Sequence, residues 1–575
     1  MWCDMFRRFF SMPLNQSRFF ELKPLAASGL LVLLCLLLYL PGFTAIPPID
    51  RDEARFAQAS YQMIESRDYV RVSFQDEPRH KKPIGIYWLQ VLSVKIFGKD
   101  TKEIWLFRIP SLLGAILATL GTYAIGRKLF DEKAALLGAA LLACTLLMAV
   151  EANMATTDAA LLACIVASQW SLAHLYGKEE SSTPFSWTVF LVFWTAQGFG
   201  VLLKGPIVPF VSLLTIVSLG IWDRKWQWLR GLRPLQGSLL LFLLVLPWSV
   251  AVWKATDGAF FRDAFSEDFF PKLVSGQESH GAPPGYYMLL LIVAFWPASL
   301  FLGLTCSHTW KERAVRGVKF CICWIVPAWI VFEAVPTKLP HYVLPLYPAL
   351  ALLSARTLLE LQQTPRPWPR FWPPFVPMAF MGLFGTLVMV GALVLPWLAE
   401  GRPSLVGAGT ALLGVAIAVQ GIRYLKGDRI LHTVLLCIGG NILVFALIFQ
   451  FIFPRSDFFW LSRTIKGEIS QMAPSGDLER ITVASSGYHE PSLVFLLGTH
   501  TKLVSPEEAA QILFRAPETV SIVWDRELPR FLEMAEQLGI EPRHVGRVEG
   551  FNYSKGRVMK LEFYKGEEKS EVMRN

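Results

Sequence analysis

About thirteen apolar runs, each long enough to cross a bilayer as a helix, follow one another along the chain up to residue 452, and they constrain its fold more than any other feature. They lie near 24–45, 104–126, 134–150, 158–175, 187–203, 205–222, 235–254, 285–306, 319–335, 341–358, 374–397, 404–422 and 430–452. Spanning the hydrocarbon core takes roughly 17 to 25 helical residues. In lipid only helices and closed barrels satisfy their own backbone polar groups, and barrel strands are about half as long. A polytopic α-helical membrane protein is therefore expected. Composition agrees, since 53% of the 575 residues are hydrophobic and only 18% charged, too apolar a balance for a string of soluble domains.

The net charge of +9 would in a soluble protein suggest a nucleic-acid partner. Here the cations sit in short connectors between apolar runs, at Arg127-Lys128, Asp223-Arg224-Lys225, 311–319 and 423–429, and before the first run at Arg7, Arg8, Arg18 and Lys23. Cytoplasmic connectors carry such an excess of Lys and Arg, so the basicity reads as topology and no nucleic acid is expected. A fourteenth run, Ile84–Gly98, is short and carries Lys95. Were it to cross, all four basic connectors would face outward, so it is expected to lie in the interface. The opposite face then receives 46–103, 151–157, Lys204-Gly205-Pro206, 255–284, the segment from Thr337 to Tyr342 and the C-terminal region. The first run has cations before it and no small-residue cleavage pattern after it, which reads as a retained span. The 8 cysteines fall mostly in or beside apolar runs, which argues against a disulfide framework or structural zinc.

From about Pro454 the pattern changes to turn residues, ordinary charge density and short alternating runs. Strands are expected at Ile481–Ala484, Lys502–Ser505 and Val520–Trp524, with a hairpin of Val545–Glu549 and Val558–Phe563. Helices are expected at Pro506–Phe514, opened by Ser505 as N-cap, and at Leu528–Leu538. The chain thus divides into a membrane region, 1–453, and a small α/β domain, 454–575. The latter lacks a glycine-rich phosphate loop, a nucleophile elbow or a metal-ligand cluster.

Two stretches of the outer face concentrate ionisable groups. Pro47-Pro48-Ile49-Asp50-Arg51-Asp52-Glu53-Ala54-Arg55-Phe56 leads into an amphipathic helix through Ala57, Tyr61 and Ile64, and carboxylates at such a start are favoured by the helix dipole alone. His80-Lys81-Lys82-Pro83 precedes the aromatic-rich Ile84–Gly98, where lysines reaching toward headgroups are the simplest reading.

These stretches, with Phe107-Arg108-Ile109-Pro110 entering span two, Thr156-Thr157-Asp158 opening span four, Leu203-Lys204-Gly205-Pro206, and Lys338-Leu339-Pro340-His341-Tyr342-Val343-Leu344-Pro345, resemble the polyprenyl-phosphate-sugar glycosyltransferases of GT-C fold. The similarity is greatest to the aminoarabinose transferases of lipid A, within the protein O-mannosyltransferase superfamily. It covers the membrane region and, more loosely, the C-terminal domain. It implies an inverting transfer of a sugar from a polyprenyl monophosphate such as undecaprenyl phosphate to lipid A or another envelope glycan, on the periplasmic face of a bacterial inner membrane and among its lipids. Asp52 matches the family's catalytic aspartate and Asp158 its second outer-loop acid, expected to orient the first loop's cations. Arg55, Lys82, Lys204 and Tyr342 match its donor-phosphate side. Glu53 and Lys338 are candidate supporting residues, Glu53 as a helix cap. Lys272 or His280 is the candidate substitute for an arginine that the family places opposite the phosphate. Phe56 stands where the aminoarabinose transferases have tyrosine. No cofactor is assigned; a divalent metal is the one candidate, its ligands unknown, and Lys81, at a position where the family carries an acid, argues against it. A protein O-mannosyltransferase differs only in acceptor. A lipid or sugar transporter is the reading from another class, but transporters place essential ionisable groups near the midplane of repeated, broken helices, and no repeat is visible here.

Overall fold

The computed structural model describes residues 23–98, 101–176, 186–269, 271, 281–362, 368–472 and 481–566. All thirteen apolar runs are helical in it. Nine of the described helices are long and apolar enough to cross a membrane, and two bent pairs raise that to as many as eleven. The first and sixth runs form shorter apolar helices, α1 (Pro24–Tyr39) and Ile207–Asp223. The helix over Pro340–Leu361 is the most buried of the long ones, whereas Pro234–Ala255 and Phe375–Ala399 are the least, so the former lies at the centre and the latter present their side chains to lipid.

Two runs expected to be continuous are broken. Glu132–Ala143 meets Leu146–Ala152 at 63°, where the hydroxyl of Thr145 donates to the Leu142 carbonyl, 2.8 Å away, and takes up an acceptor at the helix end. Tyr286–Ala294 meets Ala298–Lys311 at 118° around Pro297, which has no N–H to continue the ladder.

After α1 the chain turns into α2 (Asp52–Ser66), a two-stranded ribbon β1 (Ser73–Phe74) and β2 (Glu77–Pro78), and α3 (Gly85–Ser93) extended by a π-helical turn, Val94–Gly98. This last pair covers the short Ile84–Gly98 run. Ile86, Tyr87, Gln90, Val91 and Val94 are buried while Trp88, Leu89, Leu92, Ile96 and Phe97 are exposed, the split expected of a helix lying along a membrane surface. A Cβ on Gly85 would lie 2.7 Å from the Leu202 carbonyl oxygen, so only glycine lets α3 sit this closely on the end of the Trp187–Lys204 helix.

The second such contact joins α4 (Ile104–Leu129) to α5 (Asp158–Tyr176). A Cβ on Gly114 would stand 2.7 Å from the backbone of Ala159 and Ala160, directly after Asp158. Gly114→Ala is therefore expected to push the two helices apart, at about 1–3 kcal/mol for overpacking, and to displace Asp158 with them. Thermal unfolding in detergent, compared with a Gly382→Ala control whose Cβ meets nothing within 4 Å, measures this.

The C-terminal part has a hydrophobic core of its own, built from residues such as Ile465, Val520, Ile522, Leu561 and Phe563. Its five-stranded sheet runs in the order β4-β3-β5-β7-β6, with β3 (Val483–Ser486), β4 (Lys502–Leu503), β5 (Val520–Trp524), β6 (Arg543–Asn552) and β7 (Arg557–Lys565). β4 and β5 pair parallel to β3, while β7 pairs antiparallel to β5 and β6. Each expected strand is present, β3 shifted by two residues. Both expected helices are present as well, and Ser505 with Glu508 forms a reciprocal capping box. Two helices were not anticipated, Leu461–Met472 and Pro491–Leu497. The second packs on α2 and so joins this domain to the first outer loop.

Candidate active site

The segments assigned to one face by charge counting do converge. Asp52, Arg55, Phe56, Arg79, Lys81 and Lys82 from the first loop line a single cleft with Glu151 and Thr156 to Asp158 from the second, Lys204 from the third, and Thr337, His341 and Tyr342 from the fifth. The fourth segment, 255–284, is tied to them by His80, whose Nδ1 lies 2.8 Å from Asp263 Oδ2.

The cleft stands on a buried ion pair. Arg108, one turn inside α4, and Glu53, in the first turn of α2, both have side chains with no solvent exposure. Arg108 Nε and Nη2 donate to the Glu53 carboxylate at 2.8 and 2.9 Å, and the remaining donors reach the carbonyls of Phe43, Ile46 and Pro47 at 2.9, 2.9 and 3.1 Å. All five guanidinium N–H groups are thereby used. Glu53 accepts in addition from the backbone N–H of Ile49 and of Ala155, each 2.8 Å away. The expected helix cap is thus a strut between span two and both acid-bearing loops, and it aims Asp52 outward: Asp52 is exposed while its neighbour Glu53 is wholly buried.

Across the cleft Asp158 opens α5. Its Oδ1 accepts from Lys204 Nζ at 2.6 Å and its Oδ2 from Thr157 Oγ1 at 3.1 Å. Asp158 thus holds the third-segment lysine in the cleft that the first-loop cations also line. Lys204 Nζ also lies 5.3 Å from the centre of the Tyr342 ring, a cation–π distance. His341 stands between the two acids, with Nε2 3.9 Å from Asp158 Oδ2 and Nδ1 3.6 Å from Glu151 Oε1. Glu151 accepts from Thr156 Oγ1 at 3.0 Å. Glu151, Asp158 and His341 each offer one ligand atom within 4.8 Å of the others, a donor set suited to a divalent cation. The Lys204 ammonium already places positive charge against that set.

Lys338 is not part of the cleft. Its side chain is buried in the other direction and donates to the carbonyls of Glu333 and Val335, both at 2.8 Å, closing the end of the preceding helix. Neighbouring residues of an extended segment point to opposite sides, so Thr337 and Leu339 face the cleft and Lys338 does not. Phe56 is buried and packs on Tyr87 with ring centres 5.5 Å apart, beneath the Arg79 guanidinium at 5.3 Å. Lys272 and His280 lie outside the described residues. Glu151 and His341, both in the quoted loops, were missed as site residues; the signal was an acid and an imidazole on the face already chosen by charge counting.

A helical membrane region with a cleft of acids and cations at the ends of its helices, capped by a small α/β domain, is a GT-C-type architecture. The fold matches the crystal structure of ArnT from Cupriavidus metallidurans bound to undecaprenyl phosphate, with a TM-score of 0.71 at 18% identity over 93% of this chain and 97% of that one. It also matches, with a TM-score of 0.51 at 12% identity, the apo oligosaccharyltransferase of Archaeoglobus fulgidus, over 90% of this chain and 69% of that one.

In sequence, residues 81–253 match the family model of dolichyl-phosphate-mannose-protein mannosyltransferases. The chain is 29% identical over 311 residues to the undecaprenyl phosphate-alpha-4-amino-4-deoxy-L-arabinose arabinosyl transferase of Pseudomonas aeruginosa PAO1, covering 54% of this chain and 55% of that one. It is 27% identical over 318 residues to the enzyme of the same name from Enterobacter sp. strain 638, covering 55% and 56%. The chain thus spans just over half the length of the curated relatives it matches. The resemblance drawn from the loop motifs, to the aminoarabinose transferases and their wider superfamily, is borne out by both comparisons.

Proposed function

We propose that the protein is an inverting glycosyltransferase that moves a sugar from undecaprenyl phosphate to lipid A or a related envelope glycan, at the periplasmic face of a bacterial inner membrane. The observation that carries this reading is the pairing, in one cleft at the outer ends of apolar helices, of an exposed carboxylate, Asp52, with Arg55, Lys82 and Lys204. A phosphate leaving group gains negative charge as the glycosidic bond breaks, and fixed cations in a cleft of low dielectric stabilise it. Arg55, Lys82, Lys204 and Tyr342 act on that side. Asp52, free of the ion pair that immobilises Glu53, orients the acceptor and takes its proton where the acceptor is a hydroxyl. Asp158 holds Lys204 and leaves the chemistry to its neighbours. The names of the relatives support the donor.

Purified protein, synthetic undecaprenyl-phosphate sugars and lipid A provide the test. Asp52→Asn is expected to lower turnover by about 10²–10⁴-fold, the range of general-base catalysis. Full activity in the variant, or no transfer by the wild type with any donor sugar, overturns the reading. Because the matching family model carries the name of protein mannosyltransferases, a polypeptide acceptor is the second reading, and replacing lipid A by membrane protein in the same assay decides between them.

A further inference from the structure

We propose that the C-terminal domain positions the catalytic loop: Tyr553 and Glu490 are positioning residues that set Asp52 by holding Asp50 and Arg51, the two residues before it. This rests on the glycosyltransferase reading for what Asp52 does, and on geometry for how Asp52 is held.

The grip closes from both sides of residue 50. The Asp50 backbone N–H donates to Tyr553 Oη at 2.7 Å, and the Asp50 carboxylate accepts from the Ser492 N–H at 2.9 Å. Arg51 donates to the Ser554 carbonyl at 3.0 Å, and its Nε lies 3.8 Å from the Glu490 carboxylate, whose side chain is 4% exposed. Glu490 is itself held by Asn552 Nδ2 at 3.0 Å. Three of these groups, Asn552, Tyr553 and Ser554, come from the tip of the β6–β7 hairpin, the register of which ends at the Asn552–Arg557 pair. The others open the Pro491–Leu497 helix. Burial pushes the Asp50 carboxyl up to about 7, against the opposing hydrogen bond from Ser492 and with a further rise from Glu490.

A second hold lies farther along α2. Gln58 Nε2 donates to Thr499 Oγ1 at 2.8 Å, and that hydroxyl donates to Glu65 at 2.7 Å. Held at both ends, α2 is expected to resist rotation about its axis, the motion that would swing Asp52 out of the cleft. The membrane side contributes Glu53 and Arg108 from below. Of the three acids Asp50, Asp52 and Glu53, Asp52 alone takes no part in these contacts among the described residues, while its neighbours on both sides are held. Misplacement of a reacting group by about 1 Å can cost on the order of 10²-fold in rate, so small losses of grip are expected to show in turnover.

Tyr553→Phe and Glu490→Gln, each of which keeps shape, provide the test in the full-length protein. Of the donor-phosphate residues, Lys82, Lys204 and Tyr342 lie outside α2 and only Arg55 lies on it, so binding of undecaprenyl phosphate is expected to fall much less than turnover, which drops about tenfold or more. Amide hydrogen exchange over residues 50–58 is expected to quicken in both variants, with the β5 strand at the wild-type rate. Unchanged turnover together with unchanged exchange in residues 50–58 overturns the proposal, as does a loss of turnover matched by an equal loss of undecaprenyl phosphate binding. A wild type inactive with every donor counts against the glycosyltransferase reading alone, and the exchange measurement then still decides whether the domain holds the loop.

Discussion

Arg108→Met is expected to cost about 3–5 kcal/mol, the price of leaving one member of a fully buried ion pair without its partner. With total stabilities of only about 5–15 kcal/mol, folded protein in the membrane should fall sharply and the unfolding temperature in detergent with it. The loss exceeds that of one hydrogen bond because the variant strands Glu53 in a site without solvent and frees the carbonyls of Phe43, Ile46 and Pro47 at once. Glu53→Gln added to Arg108→Met removes the stranded charge and is expected to recover part of the loss, although each substitution is harmful alone. A double-mutant cycle on unfolding temperatures measures the coupling. Additive effects would mean that the two side chains do not act as a unit.

Lys204→Gln is expected to reduce kcat by about 10²–10³-fold, the cost of removing one preorganised charge-stabilising donor. It also leaves Asp158, with a side chain 7% exposed, without its closest cation. Lys204→Arg keeps the charge and should retain more activity, yet its planar fork does not reproduce a 2.6 Å point contact. If Lys204 served only to neutralise Asp158, the double variant Lys204→Gln with Asp158→Asn would restore turnover. A lysine acting on the leaving phosphate predicts that it does not. Steady-state kinetics of the three variants, with undecaprenyl phosphate binding measured alongside, separate the two roles.

What the sequence could and could not disclose follows from the range over which each signal acts. Span length is a local property, and so all thirteen runs were visible, as was the surface helix Ile84–Gly98, whose assignment needed only the charges of the connectors around it. Breaks at Thr145 and Pro297 were less visible, since both lie within apolar stretches of ordinary length. In the C-terminal domain, β5 is buried throughout and reads as a plain apolar run, and the Ser505–Glu508 box is a four-residue pattern. Pro491–Leu497 was missed because a short apolar run is read equally well as a strand. Leu461–Met472 was legible in principle, for Leu461, Ile465 and Ile469 recur at helical spacing, but charged neighbours masked them.

The site shows the same division. Asp52, Lys82, Lys204 and Tyr342 could be placed on one face from topology and motif. The partnership of Glu53 with Arg108 joins residues 55 positions apart, and nothing local distinguishes it from a capping acid and a membrane-border arginine. Lys338 and Lys204 both sit in lysine-bearing corners beside prolines, and only the direction of the backbone at each decides which one meets the cleft.

The surface helix that begins three residues after Lys82 has a consequence for how substrate and enzyme meet. Its exposed face, with Trp88, Leu92 and Phe97, can rest only where acyl chains give way to headgroups, and it thereby acts as a waterline for the whole molecule. Lys82 lies just before that helix, and on the proposed function a phosphate anchored by a lipid tail would meet it near that same level. If the proposed function holds, a donor drifting sideways in the leaflet would arrive with its charged group level with the cleft, so that the depth at which the protein rides would do part of the work of alignment.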